Sequence, residues 1–150
     1  IRLSLVGSEM CIRDRGEYDN NNVEDLFMNK LNFDLHSSFQ DLRNVKVSAH
    51  LYVKRDGTII QFVPFNKCAW HAGESIFKGR KNCNEFSIGI EIQGKVDEEY
   101  TREQYENLKK IVDALKKFFQ LDDVVAHSEI SPERKKDPGP LFDWSKLDEN

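Results

Sequence analysis

The clearest pattern in the chain runs from Thr101 to Gln120. Tyr105, Leu108, Ile111, Val112, Leu115 and Phe119 recur there at three- and four-residue intervals, which lines them along one face of a helix. Thr101 and Gln104 stand at capping-box spacing and mark its start. Phe86 to Ile92 has period two, with Ile88, Ile90 and Ile92 on one face and Ser87, Gly89, Glu91 and Gln93 on the other, the alternation of a strand. Val45 to Phe65 reads as a β-hairpin. Val45, Val47 and Ala49 alternate with Lys46, Ser48 and His50, and Ile59, Ile60, Phe62 and Val63 make the return strand. Arg55-Asp56-Gly57-Thr58 supplies the turn, because Asp-Gly tolerates the positive φ that a tight hairpin requires. Val124 to His127 predicts a short strand. Ser131 to Pro140 is a loop, kept irregular by Pro132, Pro138, Gly139 and Pro140. Between Gly16 and Phe39 the chain is polar and turn-rich. Asn22 is expected there to cap a turn carrying Val23, Leu26 and Phe27, within a long connection of the kind that covers an active site.

Composition narrows the class. A chain of 150 residues supports one domain with a sizeable core. A net charge of −4 argues against a broad nucleic-acid-binding surface. No apolar run approaches the roughly 20 residues of a membrane helix. Cys11, Cys68 and Cys83 form an odd set without scaffold spacing, so free thiols in a reducing compartment are expected. The first fifteen residues fit no ordinary beginning. There is no initiator methionine, Leu3 to Val6 is too short for a signal-peptide core, and Ser4 to Arg15 resembles translated read-through of a sequencing adapter. Residues 1–15 are therefore expected to be a non-native, irregularly packed segment, and residues 16–150 a domain lacking its first strand.

Candidate chemistry concentrates in the second half. His127 ends a strand, and Asp137 follows in the proline-stiffened loop. A catalytic zinc wants three nitrogen or oxygen ligands and one open position, and these two residues supply two ligands if the loop folds back. Lys135 would then stand nearby as a cation for a developing oxyanion. On spacing alone, a strand-end histidine and a solvated charged loop is the plainer reading. Glu91 interrupts an apolar strand, with Gly89 leaving space beside it. A buried carboxylate is costly unless paired or used, so it is either a general base or a salt-bridged rim residue. His50 is equally a ligand or a hydrogen-bonding sheet residue. His71 lies in a loop where Gly73 allows close approach. For His36 a surface or capping role is the plainer reading, and for Trp70 and Trp144 packing is.

Taken together, several segments resemble AmpD-type N-acetylmuramoyl-L-alanine amidases in the same order. They are Val47-Ser48-Ala49-His50, Arg55-Asp56-Gly57, Val63-Pro64-Phe65, Ala69-Trp70-His71-Ala72-Gly73, Cys83 through Glu91, and Asp137-Pro138-Gly139-Pro140. The resemblance runs from about Gly16 to Trp144. It implies an α/β (α+β) single domain, a mixed central β-sheet flanked by helices with one Zn2+ at the sheet's end. The later two of the family's three metal ligands map onto His127 and Asp137, the catalytic glutamate onto Glu91 and the lysine onto Lys135. The family's first histidine falls about seven residues before Gly16, at a place held by Glu9, so metal binding and turnover by this chain are expected to be impaired. His71, Arg80 and Asn84 are implied substrate contacts. The resemblance further implies a cytoplasmic, monomeric enzyme acting on small muropeptides in peptidoglycan recycling, with no nucleic-acid or membrane partner. Two rivals stand beside it. A non-enzymatic peptidoglycan-binding relative should lack several of these residues, and a periplasmic or phage lytic amidase would act on intact wall.

Overall fold

The computed structural model describes residues 2–7, 21–35, 37–121 and 123–148, with the side chains of 2–7, 38 and 41 outside the description. A five-stranded mixed sheet organises the chain. Its strands are β1 (Arg2–Gly7), β2 (Leu51–Val53), β3 (Ile59–Gln61), β6 (Ser87–Ile92) and β7 (Val124–Ala126), in spatial order β3-β2-β6-β1-β7. Within this sheet β2 and β3 pair antiparallel, whereas β2–β6, β6–β1 and β1–β7 are parallel. A separate hairpin joins β4 (Ile76–Phe77) to β5 (Arg80–Lys81). The helices are α1 (Asn22–Phe27), α2 (Arg102–Phe119), α3 (His127–Ile130) and α4 (Ser145–Asp148). No helix among the described residues is long and apolar enough to cross a membrane.

The helix α2 forms as its pattern predicts. Thr101 accepts from the Gln104 backbone N–H and Gln104 reaches back to the Thr101 N–H, a complete capping box. The apolar stripe Leu108, Ile111, Val112 and Leu115 is buried against Leu51, Val53, Ile88, Ile90 and Ile92. Burying each such side chain stabilises by about 1.5–3 kcal/mol relative to exposure, so this face is the main core. A second cluster lies under α1, where Leu26, Phe27, Leu31, Phe39 and Ala49 pack together. Phe27 meets Phe62 edge-on with centroids 5.2 Å apart. The half-buried Lys54–Glu24 ion pair, at 2.9 Å, ties α1 to the β2–β3 turn.

Several expectations change. The segment expected to be irregular before Gly16 forms strand β1 over Arg2–Gly7, in the interior of the sheet between β6 and β7. The physical reason is that β6 and β7 each offer a parallel hydrogen-bonding edge, and an extended stretch between them satisfies both. Residues 8–20, including Gly16 and Cys11, lie outside the described residues. Val45 to Ala49 does not join the sheet, because the Ser48 N–H donates to the Trp70 carbonyl in the neighbouring loop (3.0 Å) rather than to a ladder. Asn22 is the first residue of α1 rather than its cap. That position falls to Asn21, which makes no side-chain capping bond. The β4–β5 hairpin went unforeseen, although Lys78 and Gly79 at φ 46° and 79° supply the two positive-φ residues that a two-residue hairpin loop needs.

Candidate active site

The face of the sheet opposite α2 is polar. Parallel register sets Tyr52 beside Glu91 and Glu91 beside Val6, while Leu5 pairs with Ala126. Glu91 and His127 therefore lie in one row across the sheet, separated by β1. His127 follows directly on β7 as the first residue of α3, and its side chain is buried. Asp137 arrives from the proline-rich loop. The Ser128 N–H donates to the Asp137 carbonyl (3.0 Å), and the Tyr100 hydroxyl donates to the Pro138 carbonyl (3.0 Å). Gly139, at φ 93°, lies so close to Val96 that an added Cβ would stand 2.4 Å from its carbonyl oxygen. The loop is thus fixed on both sides of Asp137.

His127 Nδ1 stands 2.9 Å from Asp137 Oδ2, with both side chains almost fully buried. The other carboxylate oxygen, Asp137 Oδ1, is buried without a hydrogen-bond partner. Such an atom is costly unless something positive answers it, and an imidazole nitrogen beside a carboxylate oxygen is a donor pair suited to zinc. Among the described residues no group of three His, Cys, Asp or Glu side chains is gathered at metal-binding spacing, so these two are the available donors.

Glu91, His127 and Lys135 line a cavity of about 280 Å³, together with His71, Asn84, Trp70 and Phe27. Glu91 is 4 % exposed, and Lys135 is half-buried at the rim. His71 fills the space beside Gly89, since a Cβ on that glycine would stand 2.2 Å from the imidazole Cγ. The ring nitrogens lie 3.1 Å from the Ala69 carbonyl and 3.0 Å from Ser87 Oγ. Burial, reinforced by the neighbouring charges of His50 and His127 and opposed by the Ala69 carbonyl, lowers the His71 pKa to about 3. His50 stands just before β2, its backbone bonded to Gly89 and Phe62. Its Nδ1 accepts from the Gly89 N–H (3.0 Å), leaving Nε2–H to donate to the Lys67 carbonyl (2.9 Å). Burial lowers its pKa as well, against the raising effect of the Lys67 carbonyl.

The structure thus gathers His127, Asp137, Glu91, Lys135, His71 and Asn84. Asn84 Oδ1 accepts from the His71 and Ala72 backbone N–H groups at 3.0 and 2.8 Å, so it shapes the cavity wall. Arg80 is not brought in. It is exposed, with its guanidinium 4.0 Å over the Phe86 ring. Glu9 and His36 lie outside the described residues. Trp144 packs edge-on against Phe142, but Trp70 does not pack as expected. It is 60 % exposed on the cavity wall, and its loop position beside His71 was the available signal. Arg134 also lines the cavity, and nothing in its local sequence distinguishes it from neighbouring charges. Cys68 and Cys83 are free thiols.

Comparison with known proteins places this geometry in context. The family model described as N-acetylmuramoyl-L-alanine amidase matches residues 18–140. The 1,6-anhydro-N-acetylmuramyl-L-alanine amidase AmpD of Enterobacter cloacae is 43% identical over 134 residues, covering 88% of this chain and 72% of that protein. The crystal structure of a selenomethionine AmpD derivative superposes with a TM-score of 0.90 at 39% identity, over 97% of this chain and 82% of that one. The N-acetylmuramyl-L-alanine amidase AmiD from E. coli, in complex with the substrate anhydro-N-acetylmuramic acid-L-Ala-D-γ-Glu-L-Lys, gives a TM-score of 0.71 at 28% identity, covering 99% of this chain and 56% of that one.

Proposed function

The chain belongs to the N-acetylmuramoyl-L-alanine amidase family as an enzyme of the AmpD type, and from that premise we propose a specific activity. It hydrolyses the amide between 1,6-anhydro-N-acetylmuramic acid and L-alanine in muropeptides, as a zinc enzyme of cytoplasmic peptidoglycan recycling. The observation that carries the reading is the buried His127–Asp137 pair, with one carboxylate oxygen unanswered, whose histidine lines the same cavity as Glu91 and Lys135.

His127 and Asp137 are two of the three protein ligands in this reading. By the family resemblance the place of the third falls at Glu9, which lies outside the described residues. Bound there, zinc would acidify water to a nucleophile at neutral pH and polarise the amide carbonyl. Glu91 takes the proton from the attacking water and delivers it to the alanine nitrogen as the C–N bond breaks. The products are a carboxylate on the sugar's lactyl arm and a free amine on L-alanine. The Lys135 ammonium faces the oxyanion that develops on the carbonyl. Trp70 offers an apolar face to the sugar, while His71 and Asn84 line the same cavity. Arg80 would meet only a peptide extending beyond the cavity.

Incubation with an anhydromuramyl tripeptide, followed by mass spectrometry, tests the assignment. The free tripeptide should be released, a chelator should stop the reaction and added zinc should restore it. A rate indifferent to chelation would remove zinc from the reading. The Glu9→His variant should bind zinc at least about tenfold more tightly than the parent, because it restores a missing ligand. Equal affinity overturns the assignment of Glu9 to the ligand's place, and no cleavage by either chain overturns the activity.

A further inference from the structure

We propose that Arg134 is a positioning residue that holds the His127 ring through the Ala72 carbonyl, a role that builds on the metal-site reading above. The Ala72 peptide is fully buried and held from both sides. Its N–H donates to Asn84 Oδ1 at 2.8 Å, and its carbonyl accepts from Arg134 Nη2 at 2.7 Å and from His127 Nε2 at 3.1 Å. Two donors converging on one oxygen account for the 3.5 Å separation of Arg134 Nη2 and His127 Nε2.

The guanidinium has a built seat. Arg134 Nη2 also reaches the Glu74 carbonyl and Ser131 Oγ, each at 3.2 Å, and so brackets the two carbonyls that flank Gly73. Gly73 stands at φ 59°, and a Cβ there would lie 2.8 Å from Nη2 and 3.2 Å from Cζ. The bare face of that glycine is where the guanidinium rests. The Arg134 N–H donates to the Ser131 carbonyl at 3.0 Å, and the Ser131 N–H donates to the His127 carbonyl at 2.9 Å. Arg134 therefore joins the 72–74 loop to the short helix that carries His127.

The consequence is a defined ring state. A carbonyl at Nε2 requires a proton there, which leaves Nδ1, the nitrogen that faces Asp137 Oδ2, as the one a metal would take in place of a proton. A backbone carbonyl accepting the second N–H is the usual way a ligating histidine is oriented, and loss of such partners costs about 10–100-fold in metal affinity. Arg134 fixes the carbonyl that fixes the ring. It touches no reacting atom, and the neighbouring Lys135 keeps the catalytic role.

Arg134→Ala and Arg134→Lys in the full chain test this. In the metal-free protein, NMR reads solvent exchange of the His127 Nε2–H, and chelator competition reads zinc affinity. Arg134→Ala should speed that exchange at least about tenfold and weaken zinc about 10–100-fold, with little change in the thermal midpoint. Arg134→Lys keeps one donor for the Ala72 carbonyl and should recover part of both effects. Unchanged exchange in Arg134→Ala overturns the proposal. So does a loss that tracks a fall in thermal midpoint and that lysine does not rescue, since a fold staple alone would behave that way. If the parent binds no zinc, the metal reading falls and the exchange measurement alone decides the positioning role.

Discussion

On the α2 side of the sheet, Leu51, Val53, Ile88, Ile90 and Ile92 meet the helix stripe Leu108, Ile111, Val112 and Leu115. On the other side, the intervening residues His50, Tyr52, Ser87, Gly89 and Glu91 meet loops, a short helix and a cavity. The same strands build both faces, and both are buried. The first is apolar throughout and needs only complementary volume. The second buries imidazoles and carboxylates, each of which needs a partner at hydrogen-bond distance. One face holds the fold together, and the other arranges chemistry at a cost in stability that the first offsets.

Glu91 on the polar face and Ile90 beside it on the apolar face give the sharpest separation. Glu91→Gln keeps volume and removes the proposed base, so turnover of the anhydromuramyl tripeptide should fall by about 100-fold or more, measured in the Glu9→His background. Thermal stability should hold, because a buried neutral amide is cheaper than a buried carboxylate. Ile90→Ala should do the reverse. It should lose about 2–5 kcal/mol of unfolding free energy in a urea titration while turnover per folded molecule stays within about twofold. If Glu91→Gln unfolds the protein, or Ile90→Ala silences it, the division of labour between faces fails.

Acid separates the faces next. The three described histidines, His50, His71 and His127, all lie on the cavity side and all are buried. For His71 the folded pKa is held at about 3, mainly by burial, against an ordinary value of 6.5. The unfolded chain therefore takes up a proton below about pH 6.5 that the folded chain refuses. The stability contribution is fully present above that pH and is lost as pH falls toward 3. By pH 4 the loss from this group is about 3 kcal/mol. Urea titrations at pH 7 and pH 4 should show it, and His71→Gln should flatten the dependence. An unchanged slope in the variant would assign the acid sensitivity elsewhere.

The same contrast explains what could be read from the sequence. The isoleucine stripe, the α2 periodicity, the capping box and the Asp56-Gly57 turn are local, so a few consecutive residues carry the whole signal. His127 followed by Asp137 needed the family resemblance, because only the folded loop brings Nδ1 and Oδ2 together. Arg134 meeting Ala72, His71 meeting Ser87 and His50 meeting Lys67 are loop contacts without periodicity to announce them. Trp70 escaped for a related reason, since indoles usually pack, and only the cavity beside it leaves this one open. The strand slot taken by Arg2–Gly7 depends on the edges of β6 and β7, more than eighty residues away along the chain.

The smallest effect tests whether the faces are independent. Thr101 caps α2, accepting from the Gln104 N–H at 3.2 Å and donating from Oγ1 to the Arg55 carbonyl at 2.7 Å. Gln104 in turn donates to the Gln93 carbonyl at 2.7 Å, just beyond the end of β6 and two residues from Glu91. Thr101→Ala removes the cap and the bond to the hairpin turn, while the apolar stripe of α2 stays buried. Loss of an N-cap costs about 1 kcal/mol, so the urea midpoint should shift modestly. Turnover should be unchanged, because the helix remains pressed on the isoleucine face and Glu91 is held by its own strand neighbours on both sides. Kinetics and unfolding measured on one preparation decide the matter. A fall in kcat that exceeds the change in folded fraction would mean that the end of β6 transmits helix position to Glu91, and the two faces would then have to be treated as one coupled unit.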